Sequence, residues 1–151
     1  MRSVSLKGVL IGGITDVVTS VILGIPFAIY AMSRLDLAQI PKEKVGSAVT
    51  AAMSGNIPLY LGQLIVGMGC SVLGGYVSAW LAKHDELLNG ALSAFLCVSI
   101  GLYSIALGKD SHSLLVQILL LIASPALGLL GGYLRLKHQR ASGPRDFGVV
   151  P

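Results

Sequence analysis

The segment GMGCSVLGGYVSAWLA, residues 67–82, decides the fold class of this chain. It ends an uncharged run over residues 57–82 that would form a helix roughly 39 Å long, enough to cross the ~30 Å hydrocarbon core of a bilayer. Its small residues recur every four positions in two rows, Gly67, Ser71, Gly75 and Ala79 in one and Cys70, Gly74, Ser78 and Ala82 in the other. Residues four apart share a helix face, so the segment predicts a shallow groove against which another helix packs closely.

The composition of the whole chain indicates a membrane protein. Of the 151 residues, 54% are hydrophobic and only 12% are charged, whereas soluble domains carry about 25% charged residues. The apolar residues also come in long runs rather than in an amphipathic pattern. We therefore predict an all-α fold with a single domain, an integral membrane four-helix bundle with small-xxx-small packing.

Four hydrophobic runs supply the predicted spans, at about residues 8–32, 57–82, 87–107 and 113–136. The first run contains Asp16, but its many apolar side chains outweigh the ~2.5–3.5 kcal/mol that one aspartate costs on insertion. A cleaved signal peptide is the alternative for this run, although the run is longer than the apolar core of such peptides. We expect a retained first span.

The polar parts of the chain lie between the first two spans and at the C-terminus. Residues 41–53 are compatible with an amphipathic helix in the membrane interface, with Val45, Val49 and Met53 on one side. An irregular loop fits nearly as well. Residues 137–151 are basic and then contain glycine and proline, which predicts a disordered cytoplasmic tail.

The distribution of lysine and arginine predicts the orientation. Seven of these residues flank one side of the spans and four flank the other. Because Lys- and Arg-rich loops stay in the cytoplasm, we expect both termini there, in a multi-pass protein of the cytoplasmic cell membrane. The net charge of +4 then fits a lipid bilayer as the partner. No nucleic-acid motif accompanies that charge, so we expect no nucleic-acid binding.

Small residues at helical spacing also mark the other spans. Helices gain no hydrophobic free energy by associating in lipid, so close backbone contact is expected to hold the bundle together. The residues predicted to form the helix-packing groove are Gly67, Ser71, Gly74, Gly75, Ala79, Gly128 and Gly132. Alternatively, these rows of small residues line a substrate path or an oligomer interface.

Asp16 is the one carboxylate well inside a predicted span. An ionised aspartate at that depth is costly unless it is paired or hydrated, and no span carries a deep lysine or arginine. Tyr76 and Ser93 fall at comparable depth and are predicted to donate hydrogen bonds to it. Asp16, Tyr76 and Ser93 thus form a possible proton or cation site. The alternative is a buried aspartate that locks helices together.

The sequence indicates no catalytic, metal or cofactor site. Cys70 and Cys97 fall inside spans without a CxxC or a Cys/His spacing, so we expect them to pack as free thiols. HExxH, GxSxG and phosphate-loop motifs do not occur. We therefore expect no enzymatic activity, no metal and no cofactor.

Residues 74–83, GGYVSAWLAK, and residues 88–92, LNGAL, resemble small, uncharacterised four-span bacterial membrane proteins. In those proteins a GGYxxAxxA segment ends one helix and an N/H-G-x-L segment opens the next. The resemblance covers residues 74–96 and implies the fold and a cytoplasmic-membrane location, but no activity and no catalytic residue. The position of Asp16 is also similar to that of the glutamate in the first span of small multidrug transporters.

Two functions are compatible with this sequence. The first, which we expect, is that of a structural or accessory component of a membrane complex, with a larger membrane protein as partner. The alternative is a small proton-coupled or cation transporter that uses Asp16. Four helices enclose little space, so such a transporter would be active as a homo-oligomer.

Overall fold

The computed structural model of the protein describes residues 4–106 and 114–141. All regular structure in these residues is helical. Six α-helices follow one another along the chain: α1 (Leu6–Met32), α2 (Val45–Gly55), α3 (Ile57–Ala82), α4 (Glu86–Ser93), α5 (Phe95–Ala106) and α6 (Leu114–Ala141). Four segments are long and apolar enough to cross a membrane: α1, α3, the α4–α5 segment as far as Tyr103, and α6 from Ile118. The predicted all-α fold with four such segments is confirmed.

Helices α1 and α3 begin at polar caps. The Ser5 hydroxyl accepts a hydrogen bond from the Gly8 amide at the start of α1. The Asn56 side chain accepts one from the Leu59 amide at the start of α3, where Pro58 occupies the first turn. These caps satisfy amide groups that have no partner within a helix. The bounds of α3 coincide with those predicted for the second span.

The predicted third span, residues 87–107, is not one helix. It is divided at Ala94 into α4 and α5. The Ser93 hydroxyl donates to the carbonyl oxygen of Gly90 at 2.7 Å, and the Ala94 amide donates to the carbonyl of Ala91, three residues back. A serine that bonds back to its own helix competes with the regular ladder, and here the ladder takes a three-residue step at Ala94.

The last helix is longer than predicted. We expected the fourth span to end at residue 136, but α6 continues to Ala141. Neither glycine nor proline occurs between Tyr133 and Ser142, and the intervening residues are mostly good helix formers. The first part of the predicted tail is therefore helical, whereas residues 142–151 lie outside the described residues.

The connection between α1 and α3 contains a helix rather than an irregular loop. Val49 and Met53 of α2 are buried against Ala31 at the end of α1, with Phe27 packed alongside. The one-sided apolar pattern of this segment thus serves to cover α1. The helical alternative is confirmed over residues 45–55, and its location in a membrane interface stays a prediction.

α3 lies between α1 and α6 and contacts each of them through glycine. On the side of α1, a Cβ atom added to Gly74 would lie 2.7 Å from the carbonyl oxygen of Gly12. On the side of α6, a Cβ atom added to Gly75 would lie 2.7 Å from the Cα atom of Gly128. Both distances are too short for real side chains, so these helices approach backbone to backbone. Gly74 and Gly75, one from each small-residue row of α3, therefore face two different neighbours.

Other small residues extend these contacts. Ala79 is fully buried on α3. A Cβ atom added to Gly90 of α4 would lie 2.6 Å from the carbonyl oxygen of Gly128, and one added to Gly132 would meet the backbone of Glu86. Gly67 differs from Gly75 of the same row, because no heavy atom lies within 4 Å of a Cβ atom added to Gly67.

The turn between α3 and α4 is tight, as its sequence KHDE predicts. Lys83 and Asp85 both have positive φ angles, 58° and 45°. Residues other than glycine adopt this left-handed region rarely, so the turn needs support from its surroundings. That support comes from Asn89, whose side-chain amide donates to the carbonyl oxygens of His84 and Asp85 at 3.0 and 3.1 Å.

Asn89 also connects three helices. Its side chain is fully buried, and its Oδ1 atom accepts a hydrogen bond of 2.8 Å from the backbone amide of Ser5, at the start of α1. Its backbone carbonyl accepts one of 2.8 Å from the Ser78 hydroxyl of α3. One residue of α4 thereby fixes the adjacent ends of α1 and α3.

Leucine substitutions at Gly75 and Gly67 test the packing of α3. Gly75→Leu is expected to reduce the free energy of unfolding by about 3 kcal/mol or more, because the backbone of Gly128 cannot rotate away from the new side chain. Gly67→Leu is expected to change it by less than about 1 kcal/mol. Thermal unfolding in detergent measures both, with Leu73→Ala as an exposed control. Equal melting temperatures for the two leucine variants would contradict the packing.

Replacement of Asn89 tests the connection between the helix ends. Asn89→Leu has a similar volume but leaves the Ser5 amide without its acceptor and removes the side-chain donor to the two turn carbonyls, so we expect a loss of about 3 kcal/mol. Asn56→Leu removes one exposed cap and is the matched control, with an expected loss of about 1 kcal/mol. Denaturant titration of both variants gives the comparison, and equal losses would rule out a special role for Asn89.

Candidate functional site

A cavity of about 520 Å³ lies between α1, α3, α5 and α6. Most of its walls are apolar, with side chains such as Leu64, Val98 and Leu121. The side chains that bring oxygen or nitrogen atoms to it are Asp16, Ser20, Tyr60, Gln63, Ser71 and Ser124. No lysine, arginine or histidine is among the described residues that line it. An apolar chamber with a few converging polar groups is the usual form of a small-molecule site.

Asp16 lies on the wall of this cavity and is 2% exposed. Its Oδ2 atom accepts hydrogen bonds from the Ser71 hydroxyl at 3.0 Å and from the Cys97 thiol at 3.1 Å. Its Oδ1 atom accepts a longer one, of 3.4 Å, from the Ser20 hydroxyl. The donors belong to α1, α3 and α5, so the carboxyl group connects three helices while it borders the cavity.

The close packing of α1 and α3 positions these groups. A Cβ atom added to Gly74 would lie 2.8 Å from the Cβ atom of Asp16. The lack of a side chain at residue 74 therefore lets Asp16 come close to α3, within reach of Ser71, one turn earlier on that helix. Ser20 follows Asp16 by one turn on α1 and so lies on the same face.

The other two residues of the predicted site lie elsewhere. Ser93 donates its hydroxyl hydrogen to the carbonyl of Gly90, and the Tyr76 ring lies 6.0 Å from the guanidinium of Arg135. Neither residue hydrogen-bonds to Asp16, which corrects our prediction. Comparable depth in the membrane does not determine which face of a helix a residue occupies, and both side chains face other neighbours.

Sequence reasoning assigned different roles to the residues that do surround Asp16. The sequence predicts Ser71 in the packing groove, with a substrate path or an oligomer interface as the alternative for its row, and Cys97 as a thiol among apolar neighbours. The row of Ser71 gives no signal for this role, because Gly75 of the same row meets α6 whereas Ser71 reaches Asp16 of α1. No signal marks Cys97 either.

Gly67 belongs to the cavity and not to the packing groove. It lines the cavity, and a Cβ atom added there would meet nothing within 4 Å. The missing side chain leaves space between the helices, whereas at Gly75 it permits their contact. The same residue type at the same spacing thus has opposite effects on the packing.

The described residues contain no group of three His, Cys, Asp or Glu side chains able to hold a metal ion. Cys70 is buried and Cys97 half-buried, and both are free thiols. The chemistry of the site is therefore that of one carboxyl group with hydroxyl, amide and thiol neighbours.

Comparisons of this chain with protein-family models, with curated proteins and with solved structures found no match. The resemblance to four-span bacterial membrane proteins and the similarity of Asp16 to a transporter glutamate stay predictions.

Thiol labelling tests the hydrogen bond between Cys97 and Asp16. N-ethylmaleimide reacts with thiolates, and the Cys97 thiol donates its hydrogen to the Asp16 carboxyl group. In a Cys70→Ala background we therefore expect Cys97 to react at least about tenfold faster once Asp16 is also replaced by alanine. Mass spectrometry of samples taken over time measures both rates, and labelling after denaturation shows that the thiol is intact in both variants. An unchanged rate would contradict the hydrogen bond.

Proposed function

We propose that this chain is a multi-pass protein of the cytoplasmic membrane that binds and transports a small amphipathic cation, with Asp16 as its binding residue. The observation that carries the proposal is the cavity of about 520 Å³ with one acidic and no basic side chain among the described residues of its lining. Cavities of this size accommodate drug-sized organic molecules.

The distribution of side chains supports a membrane location. Small and polar residues such as Ser78 and Ala79 fill the inside of the bundle, whereas Ile14, Ile65 and Ile122 are more than half exposed on its outside. In water such a surface would be costly. Against lipid it is the favourable arrangement, because lipid tails cover the apolar side chains while small residues let the helices pack.

The hydrogen bonds of Asp16 support a cation as the ligand. Its three described donors, on Ser20, Ser71 and Cys97, are neutral groups that leave the charge of an ionised carboxylate uncompensated. In a medium of low dielectric constant such a charge is costly until a cation or a proton neutralises it. A bound cation and a bound proton would exclude one another at Asp16, which gives a simple basis for their exchange.

The remaining lining supports an amphipathic ligand rather than a bare ion. Apolar side chains would contact its body, while Asp16 would bind its charged group. The Ser124 hydroxyl is buried and has no hydrogen-bond partner among the described residues. A buried hydroxyl in that state is unfavourable, and a ligand with a polar atom near α6 would satisfy it.

The structural or accessory role is the second candidate, and the position of Asp16 between three helices favours it. In that case the carboxyl group stabilises the bundle and a lipid chain occupies the cavity. The orientation with both termini in the cytoplasm and the homo-oligomer stay predictions.

Replacement of Asp16 separates the two functions. The Asp16→Asn variant is expected to bind tetraphenylphosphonium, a bulky organic cation, at least about tenfold more weakly than the original protein, because the carboxylate charge is lost. Asp36→Asn makes the same chemical change at an exposed position and is expected to bind it normally. Equilibrium dialysis in neutral detergent measures the affinities. Unchanged binding by Asp16→Asn would contradict the proposal.

Gly67→Leu gives a second measurement with the charge intact. The new side chain fills part of the cavity, so we expect weaker binding of the same cation at an unchanged melting temperature. If instead Asp16→Asn mainly lowers the melting temperature, while Gly67→Leu binds the cation normally, Asp16 is structural and the accessory role is supported.

A further inference from the structure

The guanidinium group of Arg135, near the end of α6, has an aromatic neighbour but no hydrogen-bond acceptor among the described residues. Its central carbon lies 6.0 Å from the centroid of the Tyr76 ring on α3. Its Nε atom is buried and has no hydrogen-bond partner. Within residues 4–106 and 114–141, Arg135 forms no ion pair; Glu86, whose backbone adjoins Gly132 one turn earlier on α6, does not pair with it.

A buried N–H group without an acceptor is unfavourable, because it has lost its hydrogen bond to water and gained none in exchange. The guanidinium presents parallel N–H groups in a fixed plane, and this fork matches two oxygens of a phosphate group. Contact with the Tyr76 ring holds the charged group near one position and strengthens with loss of water. The site is thus prepared for an anion with at least two oxygens.

The surroundings indicate where such an anion comes from. Trp80 and Tyr133, both about half exposed, lie near the same ends of α3 and α6 as Arg135. Amphipathic aromatic side chains are typical of the boundary between lipid tails and headgroups. Lys137 and Arg140 follow on α6, so the last turns of this helix carry positive charge toward the headgroup region.

We propose that Arg135, positioned by Tyr76, binds the phosphate group of an anionic lipid headgroup. Free phosphate has the same chemistry, but the location between apolar helix surface and basic helix end favours the lipid. This site is separate from the cavity at Asp16. It would fix the depth of the bundle in one leaflet whatever the cavity binds.

Lipid retention by the purified full-length protein tests this site. Native mass spectrometry in neutral detergent compares binding of phosphatidylglycerol with that of phosphatidylcholine. We expect Arg135→Gln to weaken binding of the first phosphatidylglycerol at least about tenfold, and Lys137→Gln, with the same loss of charge two residues away, less than about threefold. Equal effects of the two variants would overturn the proposal in favour of general charge attraction.

Three further variants keep the test valid if Arg135→Gln does not fold. Arg135→Lys retains the charge but not the planar fork, and it is expected to bind the first phosphatidylglycerol several-fold more weakly than the original protein. Tyr76→Phe should bind as the original protein does, and Tyr76→Leu more weakly. Unchanged binding of phosphatidylglycerol by Arg135→Lys would overturn the role of the planar fork. Displacement of the lipid by excess inorganic phosphate would overturn the assignment to a lipid headgroup.

Discussion

Backbone contact between α3 and its two neighbours is the constraint on which the rest of the structure depends. Gly74 meets α1 at Gly12, and Gly75 meets α6 at Gly128, at distances that leave no room for a side chain. Apolar helices gain no hydrophobic free energy from each other in lipid, so these contacts supply van der Waals attraction that leucine-covered surfaces would lack. They also place α4 against α6, because Gly90 meets Gly128 from the other side.

The same contacts create the candidate site. Close approach at Gly74 brings Asp16 to Ser71. One turn before Ser71 on α3, the helices leave a space beside Gly67. Asp16 therefore has two functions in one position: it joins three helices through hydrogen bonds, and it borders a cavity without a basic residue among its described lining. A proton or a bound cation at this carboxyl group would act directly on the contacts that hold α1, α3 and α5 together.

Much of this architecture could be predicted from the sequence, since lipid imposes simple rules. The length and apolar composition of residues 57–82 gave the bounds of α3, and four-residue spacing identified Gly75 and Gly128 as small residues of the spans. Other features depend on three-dimensional context. The break at Ala94 coincides with a serine that bonds to its own helix, but many unbroken helices contain the same kind of bond. Gly67 has the spacing of a packing residue but lines the cavity, and depth alone wrongly placed Tyr76 and Ser93 beside Asp16.

The most direct test of the central contact is solid-state NMR on the protein in lipid bilayers, with 13C at the Cα atoms of glycine. Dipolar cross-peaks between these atoms report glycines of different helices that lie close together. The structure predicts cross-peaks between Gly75 and Gly128 and between Gly12 and Gly74, and none from Gly67 to a glycine of another helix. Absence of the first two cross-peaks from well-ordered bilayer samples would contradict the account.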